Sequence, residues 1–323
     1  MHLAVLGSGG DGPGMNAALR AVVRSALQLG HRVTGVKQGF EGLIRGAFEP
    51  LSRSSVSNIV QRGGCVLGTA RSAAFRTPEG RGEAAARLRE AEIDALVAIG
   101  GNGTLAGCEA LAREHGLQVM VLPGSIDNDI FGTEESIGFD TAANTALEAI
   151  DRIRDTAESH GRVFFVEVMG RASGQLALHV GLAAGADAIL IPEVSRDFED
   201  LSEVVRQSTS PNKHSTIIVV AEGETPGGAF AVADRLRDSI DREYRVAVLG
   251  YIQRGGRPTM RDRTLAAELG VAAVQALAEG RPSSLVGRLG GKLAFTPLAD
   301  SVGKTNEATF EYLPLIGTLS RLR

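Results

Sequence analysis

Ala95-Leu96-Val97-Ala98-Ile99-Gly100-Gly101-Asn102-Gly103-Thr104 and, further along, Val119-Met120-Val121-Leu122-Pro123-Gly124-Ser125-Ile126-Asp127-Asn128-Asp129 decide the fold. Each is an unbroken apolar run that opens into a polar loop containing glycine. Runs without polar alternation are strands buried on both faces, as in a parallel sheet, and the loops at their carboxyl ends are where such sheets bind ligands. In the first loop, glycine lets phosphate oxygens approach the backbone. In the second, Ser125, Asp127 and Asp129 place a hydroxyl and two carboxylates at alternate positions. A phosphate cradle beside an acid/base cluster suits phosphoryl transfer.

The same rhythm continues on either side. Leu3–Leu6 leads into Gly9-Gly10-Asp11-Gly12-Pro13-Gly14 and a helical stretch from Met15 to Leu29, and Arg32–Val36 is the next strand. After Gly138, Thr141–Thr156 has helical periodicity. Val163–Val168, Ala188–Pro192, Thr216–Val220 and Arg245–Leu249 read as strands, the last opening into the loop Tyr251–Gly256. This alternation predicts an α/β protein with mainly parallel, doubly wound sheets. A length of 323 residues exceeds one ordinary core and predicts two domains. We place them at 1–138 plus 251–299 and at 139–250 plus 300–323, with the active site expected in the cleft between them.

Thirty-four basic against 38 acidic residues give a net charge of -4, which leaves no global footprint for nucleic acid or membrane. No apolar run approaches the ~20 residues that span a bilayer. Met1–Gly7 reads as a first strand, not a signal peptide. Cys65 and Cys108, the two cysteines, have no metal-ligand spacing and read as reduced thiols of a cytoplasmic protein.

Taken together, the loops resemble the phosphofructokinase family along nearly the whole chain. The matching segments are Gly9–Ala17, Arg62-Gly63-Gly64, Gly68-Thr69-Ala70-Arg71, Gly100–Thr104, Pro123–Asp129, Ile150–Thr156, Ser159–Arg162, Glu167–Arg171 and Gln253–Gly256. The resemblance implies two three-layer α/β/α domains and transfer of a phosphoryl group from ATP, with Mg2+, to the 1-hydroxyl of fructose 6-phosphate. It implies that Asp127 is the general base, with Ser125 beside the reacting phosphoryl group and Asp129 assisting through the metal or Arg171. A helix cap is the ordinary role of an isolated loop aspartate, but within this loop the catalytic role fits better. Gly10, Arg71, Ser72, Gly101, Asn102, Gly103 and Thr104 match nucleotide positions, and Arg71 is suited to stabilising charge on the transferring group. Arg162, Met169, Gly170, Arg171, Glu222, Arg245, Tyr251 and Arg254 match sugar-phosphate positions, where arginine's planar fork fits phosphate. Arg162 and Arg245 are implied to reach in from a neighbouring subunit of a homotetramer. Pyrophosphate-dependent relatives typically carry Asp at Gly103 and Lys at Gly124, so ATP is the expected donor. Arg20, Arg24, Arg53, Arg154, Asp187 and Lys213 match an effector site for ADP or phosphoenolpyruvate; a solvated basic helix face is the competing reading for Arg20 and Arg24.

Two positions depart from the family. Asn102 stands where an Asp holds magnesium; an amide oxygen still coordinates but brings no charge. Tyr251 stands where a His contacts the 6-phosphate, and a tyrosine hydroxyl cannot become a cation. These keep open an alternative, a weakly active or inactive regulatory paralogue, and a third reading, a kinase for another sugar phosphate.

Overall fold

A computed structural model describes residues 1–194, 199, 202–203, 205–206, 215–240, 242–306, 312, 315 and 318. Its contacts divide the chain into one unit of Met1–Thr141 with Arg254–Asn306 and a second of Ala142–Gln253 with Glu307–Arg323.

The first unit is built on β1 (His2–Gly7), β2 (Arg32–Val36), β3 (Phe48–Pro50), β4 (Ala95–Gly100) and β5 (Gln118–Ser125), with the two-residue β6 (Ile137–Gly138) and a distant pair, β11 (Ser284–Leu289) and β12 (Lys292–Pro297). The sheet order is β12-β11-β5-β4-β1-β2-β3, with β6 paired to β5. The central strands are parallel, and antiparallel β3 and β12 close the two edges. Every residue of β4 is buried, which is why its sequence shows no alternation. On one face lie α1 (Met15–Gln28) and α8 (Met260–Ala278), whose Leu19, Val22, Val23, Leu265 and Leu269 join the strand residues Val5, Val97 and Met120. Apolar positions three and four apart put these side chains on one helix face. A Cβ on Gly270 would sit 2.7 Å from that of Ala21, so glycine sets how closely the two helices approach. The other face is covered by α2 (Gly39–Arg45), α3 (Pro78–Glu90) and α4 (Asn102–His115) through Leu43, Leu88, Leu105 and Leu111.

The second unit has a four-stranded parallel sheet in the order β10-β7-β9-β8. Its strands are β7 (Val163–Val168), β8 (Ala188–Leu190), β9 (Thr216–Ala221) and β10 (Tyr244–Val248). It also contains most of α5 (Phe139–His160), with α6 (Gln175–Ala183) and α7 (Gly228–Arg235). Phe165, Ile218 and Val220 pack against Val232 and Leu236 in its core. The α/β class with mainly parallel sheets expected from sequence holds in both units. Among the described residues no helix is long and apolar enough to cross a membrane.

Several local details differ from the sequence reading. β5 does not stop at Leu122 but runs through Pro123 and Gly124 to Ser125, because β6 pairs with Gly124 and Ser125. Residues 250–254 form a short 3-10 turn before the Gly255-Gly256 loop. Residues 300–306 group with the first unit, held by a bridge between Ile130 and Thr305 and by Asn306 N–H donating to Asp129 O.

Candidate functional site

In the first unit, β1 pairs with β2 on one side and β4 on the other. The helices that follow β1 and β4 pack on opposite faces. This is a topological switch point, where strand-end loops diverge and leave a crevice. The loops after β1, β4 and β5 therefore lie along one sheet edge. Ser8 N–H donates to Ile99 O at 3.0 Å, and Gly100 sits opposite Pro123 in the ladder. A Cβ on Gly101 would lie 3.9 Å from Ser125 Cβ, so the loops after β4 and β5 touch.

The first loop runs into α4. Gly101 caps that helix without a side chain, and its first turn holds no acidic residue. Four N–H groups at a helix start have no partner within the helix, and with the helix dipole they favour an anion. Thr104 is buried in that first turn, and its Oγ1 has no hydrogen-bond partner. The glycine loop after β1 adds a second wall: Gly14, at φ +99°, starts α1 where a Cβ would strike Ile137 Cγ2 at 2.6 Å. Arg254 Nη1 lies 3.2 Å from where a Gly10 Cβ would be, which brings a cation from the far end of the sequence onto this loop. Arg71 is exposed. Ser72 is already engaged: its hydroxyl donates to Glu41 Oε2 at 2.8 Å and accepts from Phe75 N–H at 3.2 Å.

The second loop is rigid for reasons visible in its hydrogen bonds. Asp127 is only 7 % exposed, and its N–H donates to Ser125 Oγ at 3.1 Å. Asn128 adopts φ +50°. Its Oδ1 accepts from Ser136 N–H at 2.8 Å and Ser136 Oγ at 3.0 Å, while its amide donates to Glu134 O at 3.1 Å. Ser136 Oγ also reaches Ser125 O at 2.6 Å. Asp129 is half-buried. Among the described residues no group of three or more His, Cys, Asp or Glu side chains is arranged around a metal position. Asp127, Asp129 and the Asn102 amide are hard oxygen donors on neighbouring loops. Of these, Asp129 and the Asn102 amide are the kind of donor a divalent cation takes.

In the second unit, the carboxyl ends of β7 and β9 bring Met169, Gly170, Arg171 and Glu222 together. Arg171 sits at φ +52° with its N–H donating to Glu222 Oε2 at 3.2 Å, and Glu222 N–H donates to Val168 O at 2.9 Å. Met169 N–H donates to Oε1 of the fully buried Gln253. Tyr251 is 79 % exposed. Arg162 and Arg245 lie elsewhere, at the amino end of the same sheet. Both grip Glu243: Arg162 Nε donates to its Oε2 at 2.7 Å, and Arg245 Nη2 binds its Oε1. The two guanidiniums, Arg162 foremost, hold the Glu243 carboxyl below the usual carboxylate range. At ~3.3 Å per residue, the six residues of β7 separate this cluster from Arg171 by about 20 Å.

The residues matched to an effector site divide. Arg20 and Arg24 share one side of α1, and Arg24 Nε is buried without a hydrogen-bond partner. Arg53 donates to Gln28 Oε1 at 2.8 Å, near the end of the same helix. In the second unit, Arg154 caps the end of α6 through Ala184 O, and Asp187 Oδ2 accepts Ile217 N–H at 2.9 Å, which ties the start of β8 to β9. Lys213 lies outside the described residues.

Several buried polar residues that support these loops had no role in the sequence reading: Asn16, Asn128, Ser136, Gln253 and Asp262. Asn16 is fully buried and clamps the Arg62–Val66 turn, with its amide donating to Arg62 O and Gly63 O and its Oδ1 accepting Val66 N–H. A polar residue on the apolar face of a periodic helix is the signal that marks Asn16 and Asp262; loop residues such as Ser136 carry no comparable signal.

The phosphofructokinase family model matches residues 2–277. An ATP-dependent 6-phosphofructokinase 1 of Thermus thermophilus is 52% identical over 319 residues, covering 99% of both chains. An ATP-dependent 6-phosphofructokinase of Coxiella burnetii is 48% identical over 92% of this chain and 91% of the relative. Among solved structures, phosphofructokinase from Saccharomyces cerevisiae superposes with a TM-score of 0.87 at 38% identity, over 99% of this chain and 47% of the yeast chain.

Proposed function

Since the chain belongs to the phosphofructokinase family, we infer that it transfers the γ-phosphoryl group of ATP to the 1-hydroxyl of fructose 6-phosphate, the glycolytic reaction for which its full-length relatives are named. The inactive-paralogue reading has no support among those relatives. Arrangement of the strand-end loops supports a specific division of labour. The phosphate loops at Gly10 and Gly101–Thr104, with the bare start of α4, hold the nucleotide phosphates. Arg71 and Arg254 bring positive charge to them. Asp127 accepts the hydroxyl proton as the sugar oxygen bonds to the γ-phosphorus and the bond to the ADP oxygen breaks. Ser125 Oγ, fixed by Asp127 N–H, lies beside the transferring group. Asp129 and the Asn102 amide would hold Mg2+, which would supply charge neutralisation at the phosphate oxygens. Arg171 and Glu222, tied at the end of β7 and β9, bind the sugar phosphate with Met169, Gly170, Tyr251 and Arg254.

Arg162 and Arg245 sit at the opposite end of the sheet from Arg171. Their place favours service to a neighbouring subunit's site, hence a homotetramer with shared sites. Control by ADP or phosphoenolpyruvate would fall to Arg20, Arg24 and Arg53, where Arg24 Nε awaits an acceptor.

The observation that carries the donor choice is the space at Gly103. A Cβ there would meet no heavy atom within 4 Å, whereas one at Gly124 would press on Gly100 N at 3.2 Å. The first leaves room for the body of a nucleotide, and the second leaves little for a lysine. A coupled assay with purified protein, Mg2+ and fructose 6-phosphate, run with ATP or pyrophosphate, tests this. ATP should exceed pyrophosphate by roughly a hundredfold or more in kcat/KM; equal use of pyrophosphate contradicts the donor assignment. The same assay with added ADP or phosphoenolpyruvate reads the effector site.

A further inference from the structure

The mechanism above leaves one buried carboxylate unused. Asp262 is 1 % exposed and lies in the first turn of α8. Its N–H donates to the N-cap hydroxyl of Thr259 at 3.3 Å. An acidic residue at this position ordinarily turns back to the N-cap N–H of its own helix. Asp262 does not. Thr259 N–H donates instead to Thr141 Oγ1 at 3.0 Å, and the Asp262 carboxylate crosses to the start of α5. There Oδ1 accepts Gly138 N–H at 2.8 Å, while Oδ2 accepts Thr141 N–H at 2.8 Å and the Thr141 hydroxyl. The starts of two helices thus share one anion, where both dipoles favour it.

Gly138 is what connects this anion to the chemistry. It is half of β6, whose ladder partners among the described residues are Gly124 and Ser125. A two-residue strand has little hold of its own, and the segment 136–138 is pinned from two sides. Ser136 bonds Ser125 O and Asn128 on the loop side, and Asp262 bonds Gly138 on the other. Asp262 Cβ also lies 3.6 Å from the Cβ position of Gly14, so the carboxylate stands where the glycine loop and the acidic loop are both backed.

We propose that Asp262 is a positioning residue for phosphoryl transfer: by holding Gly138, it fixes the strip against which Ser125, and through it Asp127, is placed. This rests on the reading of Asp127 as the base. Burial pushes the Asp262 carboxyl above its ordinary range despite the donors around it, so ionising it in the folded chain costs stability. Asp262→Asn is nearly isosteric and removes that charge. It also turns an acceptor into an N–H2 group facing the N–H of Gly138 or Thr141. Placement should suffer more than folding.

Steady-state kinetics of Asp262→Asn, Ser136→Ala and the double variant, normalised to folded protein, test the proposal. Asp262→Asn should lower kcat by about 10–100-fold, the scale of a small misplacement of reacting groups. Both KM values should stay within about threefold and the melting temperature near wild type. The double variant should lose little more than the worse single variant, since both act on one strip. Unchanged kcat per folded chain, a rise in KM alone, or losses that multiply in the double variant would each overturn it. If Asp262→Asn does not fold, Thr141→Val, which removes only the hydroxyl, is held to the same criteria. Asp127→Asn in the same assay separates the two levels. Full activity there overturns the role of the loop itself, whereas an inactive Asp127→Asn beside a fully active Asp262→Asn overturns only the positioning role.

Discussion

Asn102 is the residue at which this chain departs most consequentially from its family's pattern. It opens α4 at the edge of the phosphate cradle, where a carboxylate would bring the cation a full negative charge and an amide brings only a dipole. Magnesium is usually held by one or two carboxylates with substrate phosphates, so on the proposed reading Asp129 and the nucleotide would bear more of the coordination. Asn102→Asp should therefore lower the Mg2+ concentration for half-maximal rate by roughly tenfold at fixed ATP. A metal titration of both proteins reads this, and identical midpoints would remove Asn102 from the metal's surroundings. The hydroxyl and two carboxylates of Ser125, Asp127 and Asp129 are legible in the sequence as residue types at alternate positions. What holds them is not. Ser136 acts through Ser125 O and Asn128, and nothing local distinguishes such a serine from a surface one; Asp262 shows as a polar residue on an apolar helix face, but its partner Gly138 lies far away in the chain.

Among the elements, β4 and β5 were legible because burial on both faces writes an unbroken apolar run. β6 was not, since two residues carry no period, and its absence from the sequence reading is why β5 was ended early. The same limit applied to the antiparallel edges β3 and β12, whose short or partly exposed strands lack the apolar run of the centre. Strand β7 carries the element-scale consequence. It sets Arg162 at its amino end and Arg171 beyond its carboxyl end, too far apart to meet on one small sugar phosphate. If sites are shared, Arg162→Ala and Arg171→Ala subunits, each nearly inactive alone, should recover activity when refolded together, because some hybrid sites contain neither change. Absence of any recovery in verified hybrids would place both arginines in the same subunit's site or remove one from it.

For the molecule as a whole, the α/β class and the parallel sheets followed from alternating strand and helix periods. The partition of the chain into units depends on contacts that sequence does not record: 300–306 joins the first unit through Ile130, Thr305 and Asn306. The direct measurement is the coupled assay of wild type and Asp127→Asn side by side, with ATP, Mg2+ and fructose 6-phosphate saturating. Wild type should turn over at an ordinary kinase rate of about 1–100 s⁻¹, and Asp127→Asn should fall by about 10²–10⁴-fold, the loss expected of a general base. Wild-type turnover in Asp127→Asn would contradict the account.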